Sequence, residues 1–294
     1  MAQTSIMPIK EVNVTHAVIN EHAPIFHELI ELIIDCLRGG GIQVSRTINQ
    51  VSHDRLNVIV GHTIFLSPEI LVEIRNGARN YIVFQLEALH CEQGLLSSHP
   101  AYFEFLRGAK QIWDYSPENA RYLVEHGITK VRHIPIGYSP RLDRIVDPGA
   151  QDIDVLFFGV MTPRRQRIVE ELRLRGLKTG ALYGAYGSVR DAHIARAKIQ
   201  LNVHQFETSQ LEQLRIAYLL NNKRFVVSET STDNPYGDGV VFCDYEDIGA
   251  RCAHYLKPNM KAERTRIAKL GHKRLKRIPM TSSMINALSE LTQD

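Results

Sequence analysis

Asp154-Val-Leu-Phe-Phe-Gly159, followed at once by Val160-Met-Thr-Pro-Arg-Arg-Gln-Arg167 and then by Ile168-Val-Glu-Glu-Leu-Arg-Leu-Arg175, is the stretch that decides the fold. A short apolar run that ends in glycine predicts a buried parallel strand, stopping where backbone must come close to something else. Thr162 and Pro163 then read as the cap and first residue of a helix, and the apolar spacing beyond them has the helical period. In open α/β sheets ligands bind beyond the carboxyl ends of the strands, where helix amino termini present unpaired N–H groups that suit phosphate. Arg164 and Arg165 add fixed positive charge at that place. Alone, three arginines in a first helical turn would read as a solvated patch; the strand before them turns the reading toward an anion site.

Downstream the same organisation continues. Tyr183-Gly-Ala-Tyr-Gly187 fits any tight turn, and Tyr183 and Gly184 become candidate ligand contacts through their context. A helix over 191–198 leads into Ile199-Gln-Leu-Asn202-Val-His204, a strand whose end carries two polar side chains. Asn202 and His204 are either structural hydrogen-bonders or a ligand-binding pair. After a loop over 205–211, Leu211, Leu214, Ala217, Tyr218 and Asn221 follow the helical period, which sets Glu212 and Arg215 at the start of a helix over 212–220. A carboxylate there either caps the helix or accepts hydrogen bonds from vicinal hydroxyls such as those of ribose. The strand 224–229 ends at Glu229 and feeds the polar loop 230–239, which makes Glu229 and Asp233 candidate ligand contacts. That loop reads either as a cover for a bound ligand or as an ordinary surface turn.

The first half alternates in the same way. A strand near 11–19, a helix over about 24–38, strands at 42–44, 57–60 and 81–84 and a helix at 68–76 predict another parallel, doubly wound sheet. Gly39, Gly40 and Gly41 follow a helix and read as its C-cap. His62 and Glu87 fall just past carboxyl ends of strands, where ligands of such sheets bind; as a general base Glu87 is the first candidate and His62 the second, with structural hydrogen bonding as the alternative for both. Trp113 reads as core and Ser116 as the cap of the next helix. The stretch 141–153 lacks periodicity and reads as a linker. The domains are then 1–140 and 154–294, the final helix being able to return to the first.

Trp113-Asp-Tyr-Ser116, Ile134-Pro-Ile-Gly137-Tyr138, the strand 154–159 with Arg164 and Arg165, Leu201-Asn-Val-His204, and the helix 212–220 with Val226-Val-Ser-Glu229 resemble compact bacterial glycosyltransferases of the GT-B type, with a C-terminal domain like those of glycosyltransferase families 1 and 4. The resemblance runs over roughly residues 55–275. It implies an α/β fold of two Rossmann-like domains facing each other across a cleft. The second would hold a nucleotide-sugar donor, and the first most of the site for an acceptor glycan, small molecule or protein. On this sequence it implies Gly159, Arg164 and Arg165 near the donor phosphates, Asn202 and His204 near the cleft, and Glu212 near the ribose. Many retaining members carry two glutamates eight positions apart; here His204 stands eight positions before Glu212.

Composition narrows the classes. Asp152-Ile-Asp154 has the spacing of a metal-binding carboxylate pair, yet it precedes its strand, at the end far from the ligand edge, so we expect a metal-independent transferase. No G-x-G-x-x-G fingerprint calls for a redox cofactor. Cys36, Cys91, Cys243 and Cys252 form no C-x-x-C pair, which argues against a zinc site or a disulfide framework. No apolar run approaches the roughly 20 residues that span a bilayer, and the chain reads as cytoplasmic. The net charge of +3 is too mild to argue for nucleic-acid binding. Its one dense basic region, Lys257 to Arg277, reads as a solvated helix that offers peripheral contact to an anionic acceptor or a membrane surface. Two other readings stand beside the transferase: a non-catalytic nucleotide-binding scaffold in a glycan or surface-assembly pathway, and a transferase acting on nucleic-acid bases.

Overall fold

Parallel strands organise both halves of the chain, which the structure, a computed structural model, describes over residues 9–16, 26–61, 80–89, 101–146, 149–207 and 210–291. His62, the helix read over 68–76 and Cys91 lie outside the described residues. Two compact units emerge, residues 1–136 with 279–294, and residues 137–278.

The first unit contains strands β1 (Glu11–His16), β2 (Gln43–Ile48), β3 (Leu56–Val60), β4 (Tyr81–Gln85), β5 (Gln111–Asp114) and β6 (Val131–His133). They pair in the order β2-β1-β3-β4-β5-β6, all parallel. β3 and β4 are buried along their whole length, as strands covered on both faces must be. Helices α1 (His27–Gly39), α2 (Ala101–Gly108) and α3 (Pro117–Glu125) belong to this unit, and Ser116 Oγ accepts from Asn119 N at 3.2 Å to cap α3. Trp113 is fully buried and donates to Gln111 Oε1 at 3.0 Å. Buried Asn13 is satisfied across three strands, donating to Thr47 Oγ1 at 2.9 Å and to Asn57 Oδ1 at 3.0 Å; a polar residue in this core is therefore paired. The last helix, α9 (Met280–Glu290), packs on α1, and a Cβ on Gly40 would meet the Ile285 side chain.

The second unit contains β7 (Ile153–Phe158), β8 (Thr179–Leu182), β9 (Ala197–Asn202), β10 (Val226–Glu229) and β11 (Val241–Cys243), in the order β11-β10-β9-β7-β8, again all parallel. Its helices are α4 (Pro163–Leu174), α5 (Gly187–Arg196), α6 (Gln213–Asn221), α7 (Ile248–Leu256) and α8 (Lys261–Leu275). The segment before β7 is tied to α6. Asn222 Oδ1 accepts from Arg144 N at 2.9 Å and Ile145 N at 2.8 Å, and Asn221 Oδ1 accepts from Ser139 N at 3.1 Å.

The basic region is a helix with Arg266, Lys269, Lys273, Lys276 and Arg277 exposed, in line with its reading as a solvated helix, but its other face is buried. It divides between a 3₁₀ turn at Pro258–Met260 and α8, and Ile267, Ala268, Gly271 and Leu275 form a buried stripe against the unit core. Three apolar points and a glycine suffice because the backbone approaches closely: a Cβ on Gly239 would lie 2.3 Å from Gly271 Cα, and one on Gly271 2.6 Å from Gly239 O. Backbone cannot move aside as a flexible side chain can. We expect Gly271→Ala to destabilise the unit by about 1–3 kcal/mol through overpacking, more than the ~1 kcal/mol that alanine gains over glycine in a helix. Urea unfolding decides the sign, since a stabilised variant would mean that the contact relaxes freely.

Candidate active site

In the second sheet the strand order reverses between β7 and β9, and ligands of open α/β sheets bind at the carboxyl edge of such a switch point. There β7 gives way to Gly159, whose φ of +130° suits glycine. Thr162 caps α4, its Oγ1 accepting from Arg165 N at 3.4 Å, with Pro163 in the first turn. Arg164 and Arg165 therefore leave the first turn of α4 beside the end of β9, where Asn202 and His204 stand. Glu212 immediately precedes α6, and Glu229 ends β10.

These side chains form one network. Arg165 is spent on three acceptors: Nε donates to Val203 O at 2.9 Å, Nη1 to Val160 O at 2.9 Å and Nη2 to Glu212 Oε1 at 3.0 Å. Glu212 Oε2 accepts from Asn202 Nδ2 at 2.9 Å and lies 2.9 Å from His204 Nδ1. Asn202 Oδ1 accepts from Arg215 Nη1 at 2.6 Å. A Cβ on Gly159 would stand 2.7 Å from Arg215 Nη2, so the missing side chain makes room for that guanidinium. Arg164 donates through both terminal nitrogens to Glu229, which also accepts from His204 N at 3.0 Å. The guanidinium of Arg164 stacks 4.0 Å from the Tyr245 ring centroid, and Tyr245 OH donates to Arg164 O at 2.8 Å.

The charges are mutually supporting. Burial alone would raise Glu212, but His204, Arg215 and Arg165 outweigh it and hold the carboxyl at about 2. Burial would lower His204, but hydrogen bonding and attraction to Glu212, with Glu229 behind, raise it. Arg165, almost wholly buried and facing Arg215, is lowered to about 10 and stays cationic at neutral pH. The Phe157 and Phe158 rings form a rack for these cations. Arg165 lies 5.3 Å and Arg215 5.4 Å from the Phe157 centroid, and Arg215 lies 5.6 Å from that of Phe158.

The structure thus joins Gly159, Arg164, Arg165, Asn202, His204, Glu212, Arg215 and Glu229. Asp233 sits one step out, accepting from Gln213 Nε2 at 2.6 Å. Tyr183 is exposed and Gly184 sits at φ +67° in the turn after β8; neither makes a hydrogen bond to the network. The loop 230–239 is anchored and not a free cover: Tyr236 is fully buried with its OH donating to Gln213 O at 3.4 Å, and Gly239 packs on α8. In the first unit Glu87 lies at the carboxyl edge beyond β4. Its carbonyl accepts from Gln85 Nε2 at 2.7 Å and from Asn119 Nδ2 at 2.8 Å. Beside it Asp114, fully buried, is pushed up to about 7 by burial despite donors from Ser116 N, Gln85 and Asn119.

Two residues escaped the sequence reading. Arg190 in the first turn of α5 is buried 4.4 Å from the Tyr218 centroid and 5.8 Å from that of Phe158, and its Nη2 donates to Asp191 Oδ1 at 2.9 Å. Its only sequence signal was an arginine after a glycine turn. His16 ends β1, next to the switch point of the first sheet. It is buried, its Nδ1 has no hydrogen-bond partner among the described residues, and burial, Arg46 and His27 lower it to about 4. Among the described residues no three His, Cys, Asp or Glu side chains are grouped to hold a metal. Asp152 and Asp154 pair instead with Arg196 at 2.8 Å and Lys198 at 2.7 Å.

No protein-family model matches the chain. It is 29% identical over 178 residues to an uncharacterized protein of Acanthamoeba polyphaga mimivirus, a match covering 57% of this chain and 20% of that protein. A second uncharacterized protein of the same virus is 28% identical over 201 residues, covering 64% and 62%. The chain therefore spans about one fifth and about three fifths of these relatives' lengths. Among solved structures, Anabaena HepE in complex with UDP and glucose superposes with a TM-score of 0.62 at 10% identity, over 95% of this chain and 99% of that one. An α-glucosyltransferase in complex with UDP and a DNA 13-mer gives 0.64 at 11% identity, over 97% and 100%. T4 phage β-glucosyltransferase gives 0.59 at 11%, over 97% and 100%. No helix among the described residues is long and apolar enough to cross a membrane. At such identities the likeness speaks for the fold alone, and with two parallel sheets flanked by helices the chain has the fold of the GT-B glycosyltransferases.

Proposed function

We propose that the chain is a metal-independent glycosyltransferase that moves a sugar from a nucleotide-sugar donor to an acceptor hydroxyl. The observation that carries this reading is the cation-rich network at the β7/β9 switch point, where Arg164 leaves the first turn of α4, Arg215 bonds Asn202 at the end of β9, His204 bonds Glu212, and Arg190 lies against the Phe158 ring at the end of β7. When the acceptor oxygen bonds to the anomeric carbon, the sugar–phosphate bond breaks and its electron pair leaves on the phosphate. Arg164 and Arg215 with the α4 N–H groups would meet that charge, replacing a metal. Glu212 would accept a ribose hydroxyl, and Arg165 would hold Glu212. If the reaction inverts configuration, Glu87 or His62 would take the acceptor proton.

UDP is the first nucleotide to try, because HepE and the α-glucosyltransferase of similar fold are bound to it. We expect thermal stabilisation by one nucleotide family out of uridine, guanosine, cytidine and thymidine diphosphates and their sugar conjugates. Ligand at one hundred times its dissociation constant adds roughly 2.7 kcal/mol, and Arg164→Ala should lose most of the shift. No shift with any nucleotide would sink the donor-site reading. Slow donor hydrolysis without acceptor separates a transferase from a non-catalytic scaffold.

A nucleic-acid acceptor is the second reading. It is favoured by the exposed row Arg266, Lys269, Lys273, Lys276 and Arg277 along and just beyond α8, and by the DNA bound to the α-glucosyltransferase of similar fold. It requires DNA binding that weakens steeply with salt.

A further inference from the structure

The surroundings of His204 decide its protonation. Its side chain is 1% exposed, and each ring nitrogen faces an acceptor: a backbone carbonyl, and a carboxylate that the Arg165 guanidinium on its other oxygen and the nearby Arg215 keep ionised. Nδ1 lies 2.9 Å from the Glu212 carboxylate and Nε2 lies 3.0 Å from the Thr230 carbonyl. A neutral imidazole carries one N–H and one lone pair. Either neutral tautomer would therefore set a buried lone pair against an oxygen lone pair.

We infer that His204 is held as an imidazolium and serves as a positioning residue: its Nε2–H bond to the Thr230 carbonyl fixes the ring and its Nδ1–H bond holds Glu212 ionised and in one orientation, leaving a single lone pair of Oε1 for a ligand hydroxyl. The identity of that ligand rests on the donor-site reading above; the charge state of His204 does not.

Counting acceptor sites gives the single opening. An ionised carboxylate offers about four lone-pair sites. On Glu212, Oε2 takes Asn202 Nδ2 and His204 Nδ1, and Oε1 takes Arg165 Nη2. One site on Oε1 remains, and Glu212, with its side chain 22% exposed, is the member of this group that a ligand can reach. The Glu212 carboxylate thus takes one hydroxyl donor, the chemistry of a sugar, and rejects an anion at that point. The other charged groups facing His204 are Glu229, whose Oε2 accepts from His204 N at 3.0 Å, and Arg164, whose Nη1 reaches His204 O at 3.4 Å. Arg165 lies one step away, donating to Val203 O. Burial opposes the cation; the hydrogen bond and attraction to Glu212, the charge of Glu229 and the Thr230 carbonyl outweigh it and raise His204 above the ordinary imidazole value. With both nitrogens occupied, His204 exchanges no proton with a substrate.

The test uses the intact chain labelled with 15N-histidine, the His204 signals being assigned by their loss in His204→Gln and, independently, by their displacement in Glu212→Gln. Both ring nitrogens should be protonated at neutral pH and should titrate only above the ordinary imidazole range. A neutral tautomer at neutral pH overturns the inference. The second arm measures uridine diphosphate affinity by calorimetry against pH. Wild type should weaken by about tenfold, ~1.4 kcal/mol, as pH rises through the His204 transition. His204→Gln should bind more weakly without that step; the same step in the variant would overturn the positioning role. Absence of nucleotide binding at every pH would bring down the donor-site reading, and with it the ligand hydroxyl, while the NMR result still decides the charge.

Discussion

Glu212→Ala is expected to destabilise the second unit by about 3–5 kcal/mol, because it strands buried cations and does not merely delete one contact. Arg165 and His204 are almost wholly buried and both bond to Glu212. The hold on the Glu212 carboxyl, down from 4.5 to about 2, gives a similar figure of about 3 kcal/mol. The pH dependence has a definite sign. A carboxylate depressed in the folded state contributes fully above its unfolded pKa, here 4.5, and loses that contribution as pH falls toward its folded value. His204, raised in the folded state, contributes fully below about 6.5 and loses its share as pH rises through the folded value. Wild-type stability from this pair therefore peaks between those limits, and Glu212→Ala flattens both limbs. Urea unfolding at acid, intermediate and alkaline pH checks it: parallel pH profiles for the two proteins would show that the pair is not coupled to folding.

The alternating strands and helices were legible because their signals are local. Phe157, Phe158 and Gly159 mark the end of β7, and Thr162 with Pro163 marks the start of α4; the structure places both within a residue of that reading. The edge at which Arg164, Asn202, Glu212 and Glu229 meet was legible for the same reason, since in a parallel sheet every strand's carboxyl end lies on one side. What the residues do to one another was not. His204 and Glu212 are separated by a loop, and nothing in a one-dimensional pattern says that their side chains close to 2.9 Å. Arg190 needed Phe158 and Tyr218 to arrive from two other elements before its burial had a cause. Of the basic region the sequence showed the exposed charged face but not the extent of its buried one. Its packing depends on Gly239 and Gly271 touching backbone to backbone, and glycine leaves no trace in a hydrophobic pattern.

Neighbouring Arg164 and Arg165 carry equal weight in the sequence and unequal roles in the structure, so their variants are expected to fail differently. Arg165→Ala should cost about 3–5 kcal/mol of stability, the range for breaking a buried ion pair. It leaves the Val160 and Val203 carbonyls without their guanidinium donor and Glu212 without its Oε1 partner. Arg165→Lys should recover little, because one ammonium on a flexible stem cannot copy a planar fork that reaches three acceptors on three segments. Arg164 is about one fifth exposed and pairs with Glu229, which keeps its bond from His204 N when the guanidinium goes. Its loss should cost about 1–3 kcal/mol of stability, less than that of Arg165, while removing most nucleotide binding. Arg164→Lys should restore part of that binding, since a point charge serves phosphate. Unfolding and nucleotide titrations on all four variants separate the roles. A normal unfolding midpoint for Arg165→Ala, with only nucleotide binding lost, would make Arg165 a phosphate ligand as the sequence suggested; its three filled hydrogen bonds argue that the midpoint will fall instead.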